Sequence, residues 1–359
     1  MTNIYDLDLD GLRELLSSWR EPSYRANQIW DGLYKQLYTT LTQFSSLPKP
    51  IQQKLADHFG IALNADLSRL EPIHILRSSD GETIKTLFRL SDHKSIEAVL
   101  MRYARRRTLC ISTQAGCAMG CVFCATGQMG FHRQLSSGEI IAQVLYYARQ
   151  LASQDEQVTN VVIMGMGEPF HNYDSTMAAI DRLNHSQGFN FGARRFTIST
   201  VGLIPAIQRF TQEHRQVNLA ISLHAANDEL RSRLLPVNQK YPLDALFSAC
   251  LEYVHITHRR ITFEWALIDS VNDSITEARQ LADRLALFKQ GDSILCHVNI
   301  IPLNPTTKYA GKPTTSKQAK LFQEELGKFG IPCTIRLRRG IDIQAGCGQL
   351  ATQVTGNPG

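Results

Sequence analysis

The sequence predicts an α/β protein built on a parallel sheet, open or curled into a barrel, with a small helical domain in front of it. Three features of the chain point to this. Apolar residues in the first 75 positions repeat at helical spacing. Two alternating runs follow, "ETIKTLFRL" and "KSIEAVLMRY", which suit a pair of strands. From residue 108 short β-rich runs alternate with helix-like stretches, the pattern of βαβ units.

Taken in order, Leu12, Leu15, Leu16 and Trp19 mark one helix, and Ala26, Ile29, Trp30, Leu33 and Leu37 a second. Pro22 separates them, and Pro48 with Pro50 precedes a third. The runs "TLCIS", "NVVIMG", "FTIST", "VNLAISLH", "ITFEWALI", "ILCHVNIIPL" and "CTIRLR" predict strands, with helices at 137–151 and 274–288. The expected division is a helical domain over 1–75, a strand pair or linker over 76–102, a core over 103–345, and a C-terminal loop and tail over 346–359. The tail "TQVTGNPG" reads as loosely held.

With 359 residues, 43% of them hydrophobic, the chain can bury a large core. Its net charge of +5 suits an anionic partner without requiring one. "MTNIYDLDLDGL" is acidic and lacks the apolar core of a signal peptide, and no run of apolar residues is long enough to span a membrane. The expectation is a cytoplasmic protein with reduced thiols, where clustered cysteines mean metal or catalysis.

Four of the eight cysteines fall between Cys110 and Cys124. Cys117, Cys121 and Cys124 form C-x3-C-x2-C directly after the first strand of the alternating region. Three thiolates on one loop can hold a [4Fe–4S] cluster and leave one iron open. A zinc knuckle completed by His132 is the bland alternative. The next strand ends in "MGMGEP", where Gly165 and Gly167 let backbone approach a ligand and Glu168 can accept from an ammonium group. Ser199, then Ser222, Leu223 and His224, then Asn304 end later strands. Each alone reads as a cap, but at strand C-termini they form a ring of polar groups where such folds place their sites. Cys347 stands between two glycines, which implies a mobile loop able to approach another site. Cys110, read alone, is a buried strand cysteine. Glu97 is a carboxylate in an alternating strand and fits a solvent face equally well. Cys250, Cys296 and Cys333 read as core thiols.

In this order "EPSYRANQIWDGLY", "QAGCAMGCVFCATG", "VVIMGMGEP", "SLHA", "IPLNP" and "GCGQL" resemble the bacterial radical S-adenosylmethionine RNA adenosine methyltransferases over nearly the whole chain. One departure is "IQAGCG", where the family often has an Asp and two Ala before the cysteine. The resemblance implies an incomplete parallel (β/α)6 barrel, an RNA-binding N-terminal helical domain, and methylation of adenine C2 in 23S rRNA and beside the tRNA anticodon. It implies a cluster on Cys117, Cys121 and Cys124, and S-adenosylmethionine contacts from Gly167, Glu168, Ser199, Ser222, Leu223, His224 and Asn304. Two S-adenosylmethionine molecules are used per turnover. The first methylates Cys347, and the second activates that methyl group to bond C2. Glu97 then accepts the C2 proton, and Cys110 resolves the adduct by forming a disulfide with Cys347. An electron donor such as flavodoxin and a monomeric state belong to the same expectation.

Arg102, Arg105, Arg106 and Arg107, with Arg336, Arg338 and Arg339, suit phosphates, though no single RNA-binding residue can be named from such runs. The target base must leave its stack. Competing readings are C8 methylation of the same ribosomal adenine, a radical enzyme acting on a small molecule, and a non-catalytic RNA-binding protein with structural zinc.

Overall fold

The computed structural model describes residues 3–291, 293–336 and 338–350; the tail read as loosely held lies outside them. The chain opens with α1 (Leu9–Ser18), α2 (Tyr24–Tyr34) and α3 (Lys49–Phe59). Asp8 caps α1 by accepting from the Gly11 amide at 2.7 Å, satisfying one amide that the helix leaves open. Trp19 caps the end of α1 and Leu37 lies beyond α2 at a positive φ of 56°, so each apolar stripe outruns its helix. β1 (Glu71–Arg77) follows inside the segment expected to be helical. Its side chains are mostly exposed or half-buried, so it carries none of the apolar alternation that reveals a strand.

β2 (Thr83–Arg89), β3 (Ser95–Tyr103) and β4 (Arg106–Cys110) then form a meander. A short ribbon of β5 (Gln114–Gly116) and β6 (Phe131–Gln134) encloses the cysteine loop and α4 (Ala125–Met129). The rest alternates: α5 (Ser137–Ala152), β7 (Asn160–Ile163), α6 (Tyr173–Asn184), β8 (Phe196–Thr200), α7 (Ile204–Gln212), β9 (Asn218–Ser222), α8 (Asp228–Leu234), α9 (Leu243–Thr257) and β10 (Ile261–Leu267). It closes with α10 (Ile275–Leu285), a small pair β11 (Lys289–Gln290) and β12 (Ser293–Ile294), β13 (Cys296–Pro302), α11 (Ser316–Lys328) and β14 (Cys333–Ile335).

The main sheet runs β1-β2-β3-β4-β7-β8-β9-β10-β13-β14. Pairings from β1 to β4 are antiparallel, and those from β4 onward are parallel. Sequential neighbours with helical crossovers give the expected incomplete barrel. Its six parallel strands gain a short seventh, β14, and β1–β3 extend the same sheet at its other end. The helical segment is tied down through α5: Asp6 accepts from Ser137 Oγ at 3.0 Å and from the Gly138 amide at 2.7 Å at the helix N-terminus. At the other end of α5, Arg149 donates to the Leu37 carbonyl at 3.0 Å and to Tyr5 Oη at 3.1 Å. The outer face of the meander packs on α5, where Tyr147 Oη reaches Thr86 and the Ala98 carbonyl, both at 2.9 Å. The opposite face looks into the barrel mouth.

Candidate active site

The cysteine loop is hung on the β5–β6 ribbon. The Cys117 amide donates to the Gly130 carbonyl at 2.9 Å, Cys124 donates to Cys121 at 3.1 Å, and Val122 donates to Leu234 of α8 at 3.1 Å. Cys117 and Cys121 are buried and Cys124 half-buried. Burial pushes the Cys117 thiol up to about 12 and the Cys121 thiol well above its usual range, with the neighbouring cysteines raising both further. Such thiols ionise readily only against strong local positive charge, which iron supplies. Among the described residues no three His, Cys, Asp or Glu side chains converge on a point suited to one metal ion. His132 lies exposed on β6. Cys117, Cys121 and Cys124 lie within electrostatic range of one another.

Gly116 precedes the loop at φ +76°, and a Cβ there would overlap the Gly130 carbonyl oxygen. Gly116→Ala is therefore expected to cost about 2–4 kcal/mol through left-handed strain and backbone overlap. Iron bound per chain should fall with it. Wild-type iron content and urea midpoint in the variant would remove the ribbon's role.

Gly165 and Gly167 serve internal packing. A Cβ at Gly165 would lie 2.6 Å from the Ile111 carbonyl oxygen, and one at Gly167 (φ +103°) 2.6 Å from Gln114 Cβ. The "MGMGEP" turn therefore packs closely against Ile111 and against Gln114 of β5. Glu168 is buried, and its carboxylate accepts from the amides of Phe170 at 3.0 Å and Val201 at 2.9 Å. Burial raises it to about 7 despite those bonds, so a cationic partner would be needed to hold it ionised.

Ser199 and Ser222 sit side by side, Oγ to Oγ 3.2 Å, on β8 and β9. Leu223 is buried and its amide donates to the Glu264 carbonyl at 3.0 Å. His224 lies at φ +61°, its Nδ1 accepts from the Ala266 amide at 2.8 Å, and its ring meets Phe123 edge-on at 5.0 Å. The acceptor role of Nδ1 leaves the ring proton on Nε2. Burial, with Arg231 nearby, lowers His224 to about 3.

A histidine depressed in the folded state stabilises it above the unfolded value, about 6.5, and loses that contribution as pH falls toward about 3. This group alone should lower unfolding free energy by about 1.4 kcal/mol per pH unit across that window. Asparagine tolerates the left-handed backbone. Urea titrations of His224→Asn at pH 7 and pH 5 should lack this component; an unchanged slope would mean that the ring titrates elsewhere.

Arg231, on α8, escapes sequence reading because one arginine in "DELRSRLL" looks like surface charge. It is fully buried and donates to the carbonyls of Leu223 (3.1 Å), Val201 (2.7 Å) and Ser222 (3.4 Å) and to Asn238 Oδ1 (2.8 Å). It therefore fixes the ends of β8 and β9 beneath the polar ring.

Asn304 is buried; its Nδ2 donates to the Cys347 carbonyl at 3.0 Å, while Oδ1 is buried with no hydrogen-bond partner among the described residues. A buried orphan acceptor at the mouth suits a bound polar ligand. The Cys347 loop is anchored on several sides. Ala125 donates to Gly348 at 2.7 Å, Thr126 Oγ1 to Leu350 at 2.6 Å, Gly346 to Gln349 Oε1 at 3.1 Å, and Gln349 Nε2 to Pro305 at 3.0 Å. A Cβ at Gly346 would lie 2.6 Å from Asn304 Nδ2, so the glycine that departs from the family pattern allows close packing rather than loosening the loop.

Cys347 is open to solvent, yet surrounding protein and Glu264 push its thiol up to about 11, with Cys124 also contributing. Cys110 is buried, and burial followed by the neighbouring Cys347 raises its thiol. Glu97 is buried rather than solvent-facing, 3.2 Å from Lys85 Nζ. Lys85 and Cys110 both pair across to Val99, so β2, β3 and β4 show them and Glu97 on one face. Cys250 and Cys296 are core thiols and Cys333 is half-buried. Of the basic runs, Arg102 and Arg107 pair with Glu156, while Arg106 and Arg339 stack on Tyr103 at 5.1 and 4.5 Å.

The profile of the Radical SAM superfamily matches residues 111–282, and that of the ribosomal RNA large subunit methyltransferase N-terminal domain matches residues 2–61. The chain is 46% identical over 352 residues to the dual-specificity RNA methyltransferase RlmN 1 of Myxococcus xanthus, covering 98% of this chain and 95% of that protein. It is 44% identical over 349 residues to the probable dual-specificity RNA methyltransferase RlmN of Bacillus thuringiensis subsp. konkukian, covering 97% and 93%. A crystal structure of a radical SAM methyltransferase from Sphaerobacter thermophilus superposes with a TM-score of 0.92 at 47% identity, covering 98% of this chain and all of that one. This chain belongs to the RlmN family of radical SAM RNA methyltransferases.

Proposed function

We propose that this protein methylates C2 of one adenine in 23S rRNA and of the adenine beside the anticodon in tRNA, using Cys347 as a methyl carrier. One observation supports this most: the Cys347 loop is pinned to the helix that follows Cys124, through Ala125 to the Gly348 carbonyl and Thr126 to the Leu350 carbonyl, and its thiol interacts electrostatically with both Cys124 and Cys110. C2 is an electron-poor sp2 carbon that cannot attack a methyl sulfonium as a nucleophile. A [4Fe–4S] cluster with S-adenosylmethionine, when bound, supplies the one-electron chemistry that such a carbon needs.

Cys117, Cys121 and Cys124 hold the cluster. Glu168 takes the methionine ammonium, whose charge would hold this carboxylate ionised. Gly167, Ser199, Ser222, Leu223, His224 and Asn304 line the nucleoside. Cys347 accepts a methyl group from one S-adenosylmethionine and presents it, so two molecules are consumed per turnover. Glu97 takes the C2 proton from the tethered adenine. The Cys110 thiolate attacks the Cys347 sulfur, and the bond from that sulfur to the methylene carbon breaks with its electron pair passing to the adenine side. That carbon takes up a proton to become the methyl group, and the resulting disulfide is reduced by an external thiol. The helical domain over 1–75 docks the RNA, and an electron donor such as flavodoxin serves a monomeric, cytoplasmic enzyme. No helix among the described residues is long and apolar enough to cross a membrane.

The test is product analysis. Anaerobically reconstituted enzyme, given 23S rRNA fragments and tRNA, should yield 2-methyladenosine from both, identified by mass spectrometry against standards. Exclusive 8-methyladenosine would replace this reading with the C8 activity.

A further inference from the structure

Lys85 belongs to β2, and only 5% of its side chain is exposed. Its ammonium stands 3.2 Å from Glu97 Oε1 and 3.2 Å from the Gln344 carbonyl oxygen. A buried ammonium is costly unless its donors are met. Here the acceptors come from two elements far apart in sequence, β3 and the segment that leads into Cys347. Gln344 lies three residues before Cys347 and adopts φ +52°. Its amide donates to Ile341 at 3.0 Å, while the next amide, Ala345, bonds Gly340 at 2.7 Å. The loop is thus folded into a tight turn whose carbonyl meets the lysine. Lys85 pairs with Val99, as Cys110 does from the other side, so the ammonium rises from the face that carries the resolving thiol. A lysine serving the outer face would instead point toward α5, where Thr86 and Ala98 meet Tyr147.

We propose that Lys85 is a positioning residue for methyl transfer, clamping the Glu97 carboxylate in place and holding the Cys347 loop above it. The proposal rests on the reading of Glu97 as proton acceptor. An ammonium suits the task because its tetrahedral donors can be divided between a carboxylate and a carbonyl that do not share a plane. Lys85 touches no reacting atom; it acts through the base and the loop.

The experiment follows the covalent RNA–protein adduct in single turnovers of reconstituted holoenzyme, using labelled RNA on denaturing gels. Lys85→Met should slow adduct decay by about 100-fold, the size expected when a reacting group is left misplaced. Glu97→Gln should do the same. The double variant Lys85→Met/Glu97→Gln, which buries no lone charge, should be slowed by clearly less than the product of the two single effects, because the carboxylate that Lys85 places is already gone. Circular dichroism and iron content identify any variant that fails to fold, and the double variant keeps the question open to measurement if Lys85→Met does. A double variant slowed by the full product of the two single effects would overturn the clamp, as would normal decay in Lys85→Met beside slow decay in Glu97→Gln. Wild-type decay in Glu97→Gln would overturn the base assignment and with it the catalytic meaning of the clamp.

Discussion

A Cys110→Ala variant, purified anaerobically after expression in cells, is expected to carry RNA covalently attached to Cys347 through adenine C2. Cys110 is buried beside the mouth, and its thiol is raised by burial first and by Cys347 second. It can act when a base or a change in its surroundings releases its proton. Replacing it by alanine removes one sulfur from a packed strand position and leaves the cluster loop untouched. Methylation over many turnovers should fall by about 100-fold or more, the size expected when a group essential to release is lost, while adduct formation continues. Cys347→Ala should form no adduct and no methylated RNA. If Cys110→Ala shows no adduct and methylates at the wild-type rate, Cys110 is a core thiol and release proceeds by another route.

Arg231→Met should be the most destabilising single change in the site region. The guanidinium is fully buried and serves four carbonyls, those of Leu223, Val201, Ser222 and Tyr241, and Asn238. Burial lowers Arg231 to about 10, still charged at neutral pH, with the nearby Cys121, Cys250 and Asp228 opposing the drop. Methionine fills much of the volume but strands every acceptor, and unmet buried polar groups cost about 1–3 kcal/mol each. A loss of about 3–5 kcal/mol is expected in urea unfolding. Because the carbonyls of Leu223, Val201 and Ser222 end β8 and β9, S-adenosylmethionine affinity should fall as well. Lysine would not rescue the variant, since it cannot present the planar fork. An unfolding free energy within about 1 kcal/mol of wild type would show that water takes over the guanidinium's role.

The cysteine spacing and the strand–helix alternation were readable because each is local: C-x3-C-x2-C needs one loop, and the strands carry their own apolar runs. β1 was not, since "EPIHILR" becomes a strand only by pairing with β2. β5 and β6 hid for the same reason; each is only three or four residues and depends on its partner. Cys110 was legible as a buried strand cysteine, but Glu97 offered no local clue, and its burial on the face shared with Cys110 follows from register across three strands. Arg231 and Lys85 look like ordinary surface charges until tertiary structure supplies their acceptors. The glycines of "MGMGEP" were legible as close approaches, while the Gly346 of "AGCG" was read as a source of loop mobility and instead packs against Asn304.

The anchoring of the Cys347 loop also sets an order of assembly. The cluster loop is closed by pairings such as Gln114 with Gln134, 20 residues apart. The thiol-bearing segment depends on contacts spanning 224 residues for Thr126 with Leu350, 259 for Lys85 with Gln344, and 263 for Ser79 with Asp342. Short loops close sooner and at lower entropic cost than long ones. Cys117, Cys121 and Cys124 can therefore be arranged while the chain is still incomplete, and the Cys347 segment arrives last. During that interval the cysteine loop is open to its surroundings, and the Cys347 thiol joins it only once the C-terminal contacts close.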